Sequence, residues 1–197
     1  MIDKIHVRSD FILIFAAILV NLIFNFGRIM KIIGIDPGLR KTGWGVVEIR
    51  GNVIGHISNG TIESNGRKDL ACRLLEIYNN LVEVFQFAKP DVAAIENTFV
   101  NKDSAGALKL GQARAIALLV PASLNVQVFE YAPNTIKKAV VGVGHADKLQ
   151  VKAMVKIQLP KAKFNGQDSV DALSIALCHA YQYKNQDRLK HAISAAR

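Results

Sequence analysis

KIIGIDPGLRKTGWGVVE, residues 31–48, decides how this chain folds. Its apolar run from Ile32 to Ile35 stops on Asp36, and Pro37 and Gly38 then turn the chain back before a second apolar run begins at Trp44. Proline fixes φ and lacks an amide hydrogen, and glycine enters turns without steric cost, so the pair ends the first strand directly after its aspartate. WGVVEIR reads as a second strand, and GNVIGHISNGTIES offers a third between Gly and Asn breakers. Three short consecutive strands predict an antiparallel meander.

Beyond the meander, Leu70, Leu74, Ile77, Tyr78, Leu81, Val82 and Phe85 recur at spacings of three and four, with Asp69 as N-cap and Pro90 as terminator. That is an amphipathic helix. DVAAIENTFV suits a buried strand ending at Glu96, a helix runs from Ser104 to Pro121, and VQVFEYAP is a further strand. NTIKKAVVG as helix or turn, ADKLQVKAMVKIQL as a basic helix and DSVDALSIALCHAYQY as an apolar helix complete the chain. The order predicts an α/β fold, a mixed five-stranded sheet of three antiparallel strands plus parallel strands, with helices on both faces.

The 197 residues suit one domain, and 50% apolar with 21% charged residues is a globular composition. Phe11 to Phe26 is a separate matter, an uncharged stretch preceded by Lys4 and Arg8. It reads as a signal h-region, as a membrane-associated extension, or as upstream sequence before a start at Met30. Residues 1–29 are therefore set apart as an apolar extension, 30–183 as the folded domain, and 184–197 as a polar basic tail expected to fray. Cys72 and Cys178 lack CxxC context and are expected to be buried, reduced thiols of a cytoplasmic protein. The formal charge is +9, and losing the three basic and two acidic side chains of residues 1–29 still leaves +8. Such a domain is drawn to polyanions, nucleic acid first.

Four acids stand at the edges of apolar runs. Asp36 closes KIIGI, Glu96 closes VAAI, and Asp168 and Asp171 sit three apart where the last helix starts. Singly, each has an ordinary reading as turn former, solvent-facing strand end or helix cap. Together they can meet, because strand ends share one sheet edge and residues i and i+3 share a helix face. Half-buried acids repel one another and lose hydration, which a divalent cation offsets. An all-oxygen set suits Mg²⁺ or Mn²⁺ better than Zn²⁺. On a basic protein, that chemistry points to phosphodiester hydrolysis with paired metals about 4 Å apart.

IIGIDPGLRKTGWGVV, AIENTFVNKDSAGALKLGQARA, VFEYAPNTIKKAVVGVGHADKLQV and DSVDALSIALCHA resemble, in order and spacing, the RuvC family of crossover junction endodeoxyribonucleases. The resemblance runs from Met30 to Tyr183 and favours a start at Met30. It implies a ribonuclease H-like fold and a homodimer that nicks two opposed strands of a four-way DNA junction. It also implies partnership with the RuvA-RuvB branch-migration machine. Asp36, Glu96, Asp168 and Asp171 would be its metal-binding, catalytic carboxylates, holding two Mg²⁺ per subunit. In the simplest partition Asp36 bridges both ions, Glu96 holds one, and the Asp168/Asp171 pair holds the other.

Between Lys137 and Lys163 there are seven lysines against one acid, Asp147. A solvated helix face is the plain reading, and phosphate contact the one a nuclease favours. Lys137 and Lys148 match positions that the resemblance associates with DNA, Lys152 lies in the same run, and Lys109 and Arg114 are weaker candidates. His145 is the one histidine near this run. Phe99 looks like the aromatic that stacks on an unpaired base. The helix from Ser104 carries Ala105, Ala107, Gly111 and Ala113, small residues that suit the dimer interface the resemblance implies. Two other classes compete: a nucleotide-binding lobe like those of the actin and sugar-kinase ATPases, and a catalytically silent nucleic-acid binder. The first would need a second lobe and a second glycine-rich aspartate loop, and the second would be expected to lose acids.

Overall fold

The computed structural model describes residues 29–97 and 104–195. The meander forms as expected: β1 (Met30–Asp36), β2 (Lys41–Arg50) and β3 (Val53–Glu63) pair antiparallel. Helix α1 (Leu70–Ala88) leads to β4 (Val92–Glu96), and α2 (Ser104–Ser123) leads to β5 (Gln127–Tyr131). Both later strands add in parallel, giving the order β3-β2-β1-β4-β5. Three helices follow, α3 (Pro133–Val141), α4 (Lys148–Gln158) and α5 (Gln167–Ala195).

The alternation of β1 divides its isoleucines between two cores. Ile33 and Ile35 pack with Ile77, Leu81, Phe85, Ala113, Ala117 and Val120 of α1 and α2. Ile32 faces the other way, to Val151 and Val155 of α4 and Leu173, Ala176 and Leu177 of α5. Helices thus cover both faces. Residues 172–180 of α5 are buried without interruption, because sheet and neighbouring helices enclose them on all sides. Each fully buried leucine there contributes roughly 2 kcal/mol.

The start signal of α1 acts as read, and α4 has one that the sequence reading did not name. The Asp69 carboxylate accepts the Cys72 amide hydrogen bond at 2.9 Å, capping α1. Asp147 and Gln150 form a reciprocal capping box that fixes the start of α4. Trp44 packs across β2 and β3, its ring so close over Gly60 that a Cβ there would lie 2.8 Å from it.

Two expectations fail. Cys178 is buried, but Cys72 is exposed, because the buried stripe of α1 runs through Ile77, Leu81 and Phe85 and leaves residue 72 on the opposite face. The last helix does not end at Tyr183: α5 continues to Ala195 with no glycine or proline to stop it, and the Lys184 ammonium donates to the Asn52 carbonyl at 2.6 Å. Residues 1–28 lie outside the described residues. Among the described residues, no helix is long and apolar enough to cross a membrane.

His179, 4% exposed in α5, meets the Tyr131 hydroxyl through Nδ1 at 2.7 Å and lies against the Phe129 ring. Burial disfavours the cation and lowers its pKa to about 4. The unfolded chain, titrating near its ordinary value of about 6.5, binds a proton that the folded chain refuses between the two. Stability contributed here is therefore full above that window and falls as pH drops through it, by ~1.4 kcal/mol per unit of difference. Urea unfolding across the window should show this loss, and His179→Gln, whose amide can still reach Tyr131, should flatten it.

Candidate active site

The end of β1, the end of β4 and the first turn of α5 converge. Asp36 and Glu96 reach the same edge because β1 and β4 are parallel neighbours, with Ile35 beside Ile95. Asp171 arrives from the opposite direction, on a helix laid almost against the strands. A Cβ at Gly34 would lie 2.1 Å from the Ala172 carbonyl oxygen, and one at Gly43 would lie 2.1 Å from that of Asp168. Gly43 is the β2 partner of Asp36, so its missing side chain seats the acidic turn of α5 directly beside the β1 terminus.

Asp36, Glu96 and Asp171 line one cleft of about 320 Å³, together with Lys137 of α3 and Lys148 of α4. Asp168 is half-buried next to it and does not line the cleft, although its charge reaches Asp36 and Asp171. Burial, then the charges of Glu96, Asp171 and Asp168, push the Asp36 carboxyl up to about 8, with Lys148 pulling the other way. Burial also raises Glu96 and Asp171, against the lowering influence of Lys137 and Lys148. The acids surround the cleft rather than close into a cage. Among the described residues no three His, Cys, Asp or Glu side chains stand close enough together to hold an ion as placed. Their chemistry nevertheless fits a hard divalent cation: three oxygen donors, partly dehydrated and mutually repelling, with no histidine or thiol among them.

The RuvC family model, "Crossover junction endodeoxyribonuclease RuvC", matches residues 32–179, a span that holds all four acids and the cleft. The chain belongs to the RuvC family. A RuvC crossover junction endodeoxyribonuclease from Agrobacterium fabrum is 52% identical over 168 residues, covering 85% of this chain and 98% of the relative. The solved Thermus thermophilus RuvC is 30% identical with a TM-score of 0.72, covering 80% of this chain and 97% of that one. T. thermophilus RuvC in complex with Holliday junction substrate is likewise 30% identical, with a TM-score of 0.74 over 80% and 96% of the two chains. The sheet is accordingly ribonuclease H-like, as expected, and the nucleotide-binding lobe falls away as a reading.

Around this RuvC-family cleft the remaining candidates separate. Lys137 and Lys148 line it, whereas Lys152 and Lys109 are exposed on α4 and α2 outside its lining. Arg114 is turned inward: it pairs with Glu130, donates to the Glu96 carbonyl at 3.4 Å, and donates to the Asn97 side-chain oxygen at 3.3 Å. It ties α2 to the ends of β4 and β5 beneath the site. Phe99 lies outside the described residues.

Sequence reasoning missed Gln167, whose amide donates to Asp171 Oδ1 at 2.8 Å and orients that carboxylate. The i, i+4 spacing of the two residues was the available signal. It also missed Gly43, which carries no sequence mark of a close approach.

In metal-free protein the Asp36 carboxyl should titrate near pH 8 by ¹³C NMR, far above an ordinary aspartate. Asp171→Asn removes a like charge and should lower that midpoint while leaving it raised, since burial is the larger cause.

Proposed function

We propose that this chain is a structure-selective endonuclease that resolves four-way DNA junctions by metal-dependent hydrolysis of two opposed strands. The observation that carries the reading is the convergence of Asp36, Glu96 and Asp171 with Lys137 and Lys148 on one cleft of a RuvC-family domain. Acids and lysines in one cleft suit a phosphodiester, whose charge the lysines attract while the acids serve the chemistry.

Asp36, Glu96, Asp168 and Asp171 would hold Mg²⁺, two ions per subunit, three of them from the cleft lining and Asp168 from beside it, and Mn²⁺ would be an acceptable substitute. When bound, such ions lower the pKa of water and offset the charge that develops at phosphorus. The chain's own residues do the positioning. Gln167 fixes the direction of Asp171, and Arg114 holds the β4 terminus from which Glu96 projects. Lys137 and Lys148 draw the scissile phosphate to the acids, and Lys152 and Lys109, exposed outside the cleft, are proposed to meet DNA beyond it. Arg114, engaged within the domain, serves as a positioning residue rather than a phosphate contact. Phe99 is proposed to stack on a base at the crossover.

Two cuts in a near two-fold symmetric substrate call for two sites related by a dyad, hence a homodimer. Leu108, Gly111, Ala115 and Leu119 form an exposed stripe at helical spacing along α2, which supports that face as the interface. The RuvA-RuvB complex is proposed as the partner that delivers junctions.

The reading is tested with a synthetic four-way junction and a linear duplex, each incubated with the protein with and without Mg²⁺. Selective, Mg²⁺-dependent nicking of the junction is expected; equal cutting of both substrates refutes a resolvase. Asp171→Asn should reduce nicking at least ~100-fold while junction binding, measured separately, persists. Lost binding with intact nicking would sink the role given to Asp171.

A further inference from the structure

Helix α3 separates two clefts. One is the acidic cleft, with Ile136 and Lys137 in its wall. The other is an open cleft of about 550 Å³, to which α3 gives Asn134, Thr135 and Lys138, the α3–α4 connection gives His145, and α5 gives Gln182. Successive helix residues point about 100° apart. The adjacent lysines 137 and 138 therefore serve different clefts.

The second cleft has the chemistry of an anion seat. Among the described residues no carboxylate lines it. Neither the Lys138 ammonium nor the His145 imidazole has a hydrogen-bond or ion-pair partner among the described residues, and both are exposed. Asn134, Thr135 and Gln182 add uncharged side-chain donors around the lysine, the combination that phosphate oxygens accept from. A small-molecule site would be expected to carry aromatic or large apolar walls, but the non-polar lining here is Ala139 and Gly144. Position selects the ligand. α3 is about 10–12 Å across with its side chains, so DNA whose scissile phosphate lies in the acidic cleft must pass alongside or over it.

We infer that the second cleft binds a backbone phosphate of the junction arm adjoining the cleavage point, through Lys138 and His145. The inference rests on the nuclease reading above. It assigns α3 a dividing role, with Lys137 facing the reacting phosphate and Lys138 facing a phosphate that is only held. The held phosphate fixes the register of the arm on the protein, since such contacts position the duplex without reading its sequence.

The test is binding of a synthetic four-way junction to the full chain without divalent cation, across about 50 to 200 mM salt. Lys138→Gln should weaken binding several-fold and make the dependence of log K on log salt shallower by about one. Lys138→Arg should restore the slope. Arg67→Gln, which removes an exposed charge from the β3–α1 connection, should leave it as in the unaltered protein. An unchanged slope for Lys138→Gln overturns the inference. So does equal flattening by Arg67→Gln, because net charge would then account for the effect. If the unaltered protein does not prefer the junction to a linear duplex, the resolvase reading fails and takes this inference with it, a result distinct from either of the others.

Discussion

The acidic cleft depends on how closely α5 lies against β1 and β2. At Gly34, Gly43 and Gly45 any added Cβ would fall 2.7 Å or less from an atom of α5, and at the first two that atom is a backbone carbonyl oxygen. Protein interiors are packed to crystal density and give little, so a methyl group at Gly34 or Gly43 would lift the helix from the sheet. Because Asp168 and Asp171 stand on the first turns of that helix, the fit of three glycines becomes the placement of two carboxylates. The apolar burial of residues 172–180 holds the helix down against its own acids.

Electrostatics works against this arrangement. Burial and like charge raise the pKa of Asp36, Glu96 and Asp171 together, so the folded chain keeps carboxyl groups where their ionised forms are disfavoured. Lys137 and Lys148 relieve part of the strain from outside the acid cluster. Arg114 answers a different need, joining Glu130, the Glu96 carbonyl and Asn97 where two parallel strands end. The cationic residues therefore divide by function into those that temper the acids and one that braces the frame beneath them.

Much of this was legible in the residues. The stop at Asp36-Pro37-Gly38, the stripe from Leu70 to Phe85 and the short run ending at Glu96 reported strands, helix and acids, because turn chemistry and periodicity are local properties. Arg114 and Gly43 were opaque for the opposite reason. A guanidinium can face DNA or a carbonyl with the same sequence around it, and a glycine in a strand does not announce the helix that will press on it. Cys72 was misjudged because membership of a helix does not say which face a residue occupies. The length of α5 was misjudged because polarity was taken for disorder, whereas its final turns contain nothing that ends a helix.

The sheet order carries one more consequence, which concerns biosynthesis. Asp36 is made early, Glu96 follows after a crossover, and Asp171 belongs to the last helix of the fold. The core on that face of the sheet is built around Leu173, Ala176 and Leu177, so it cannot close before α5 has emerged. A chain still on the ribosome, even with all five strands complete, has two of the three cleft acids and one face of its sheet uncovered. The topology withholds the cleft until translation of the domain is essentially finished, so a half-made chain carries no assembled cutting site while it is still tethered.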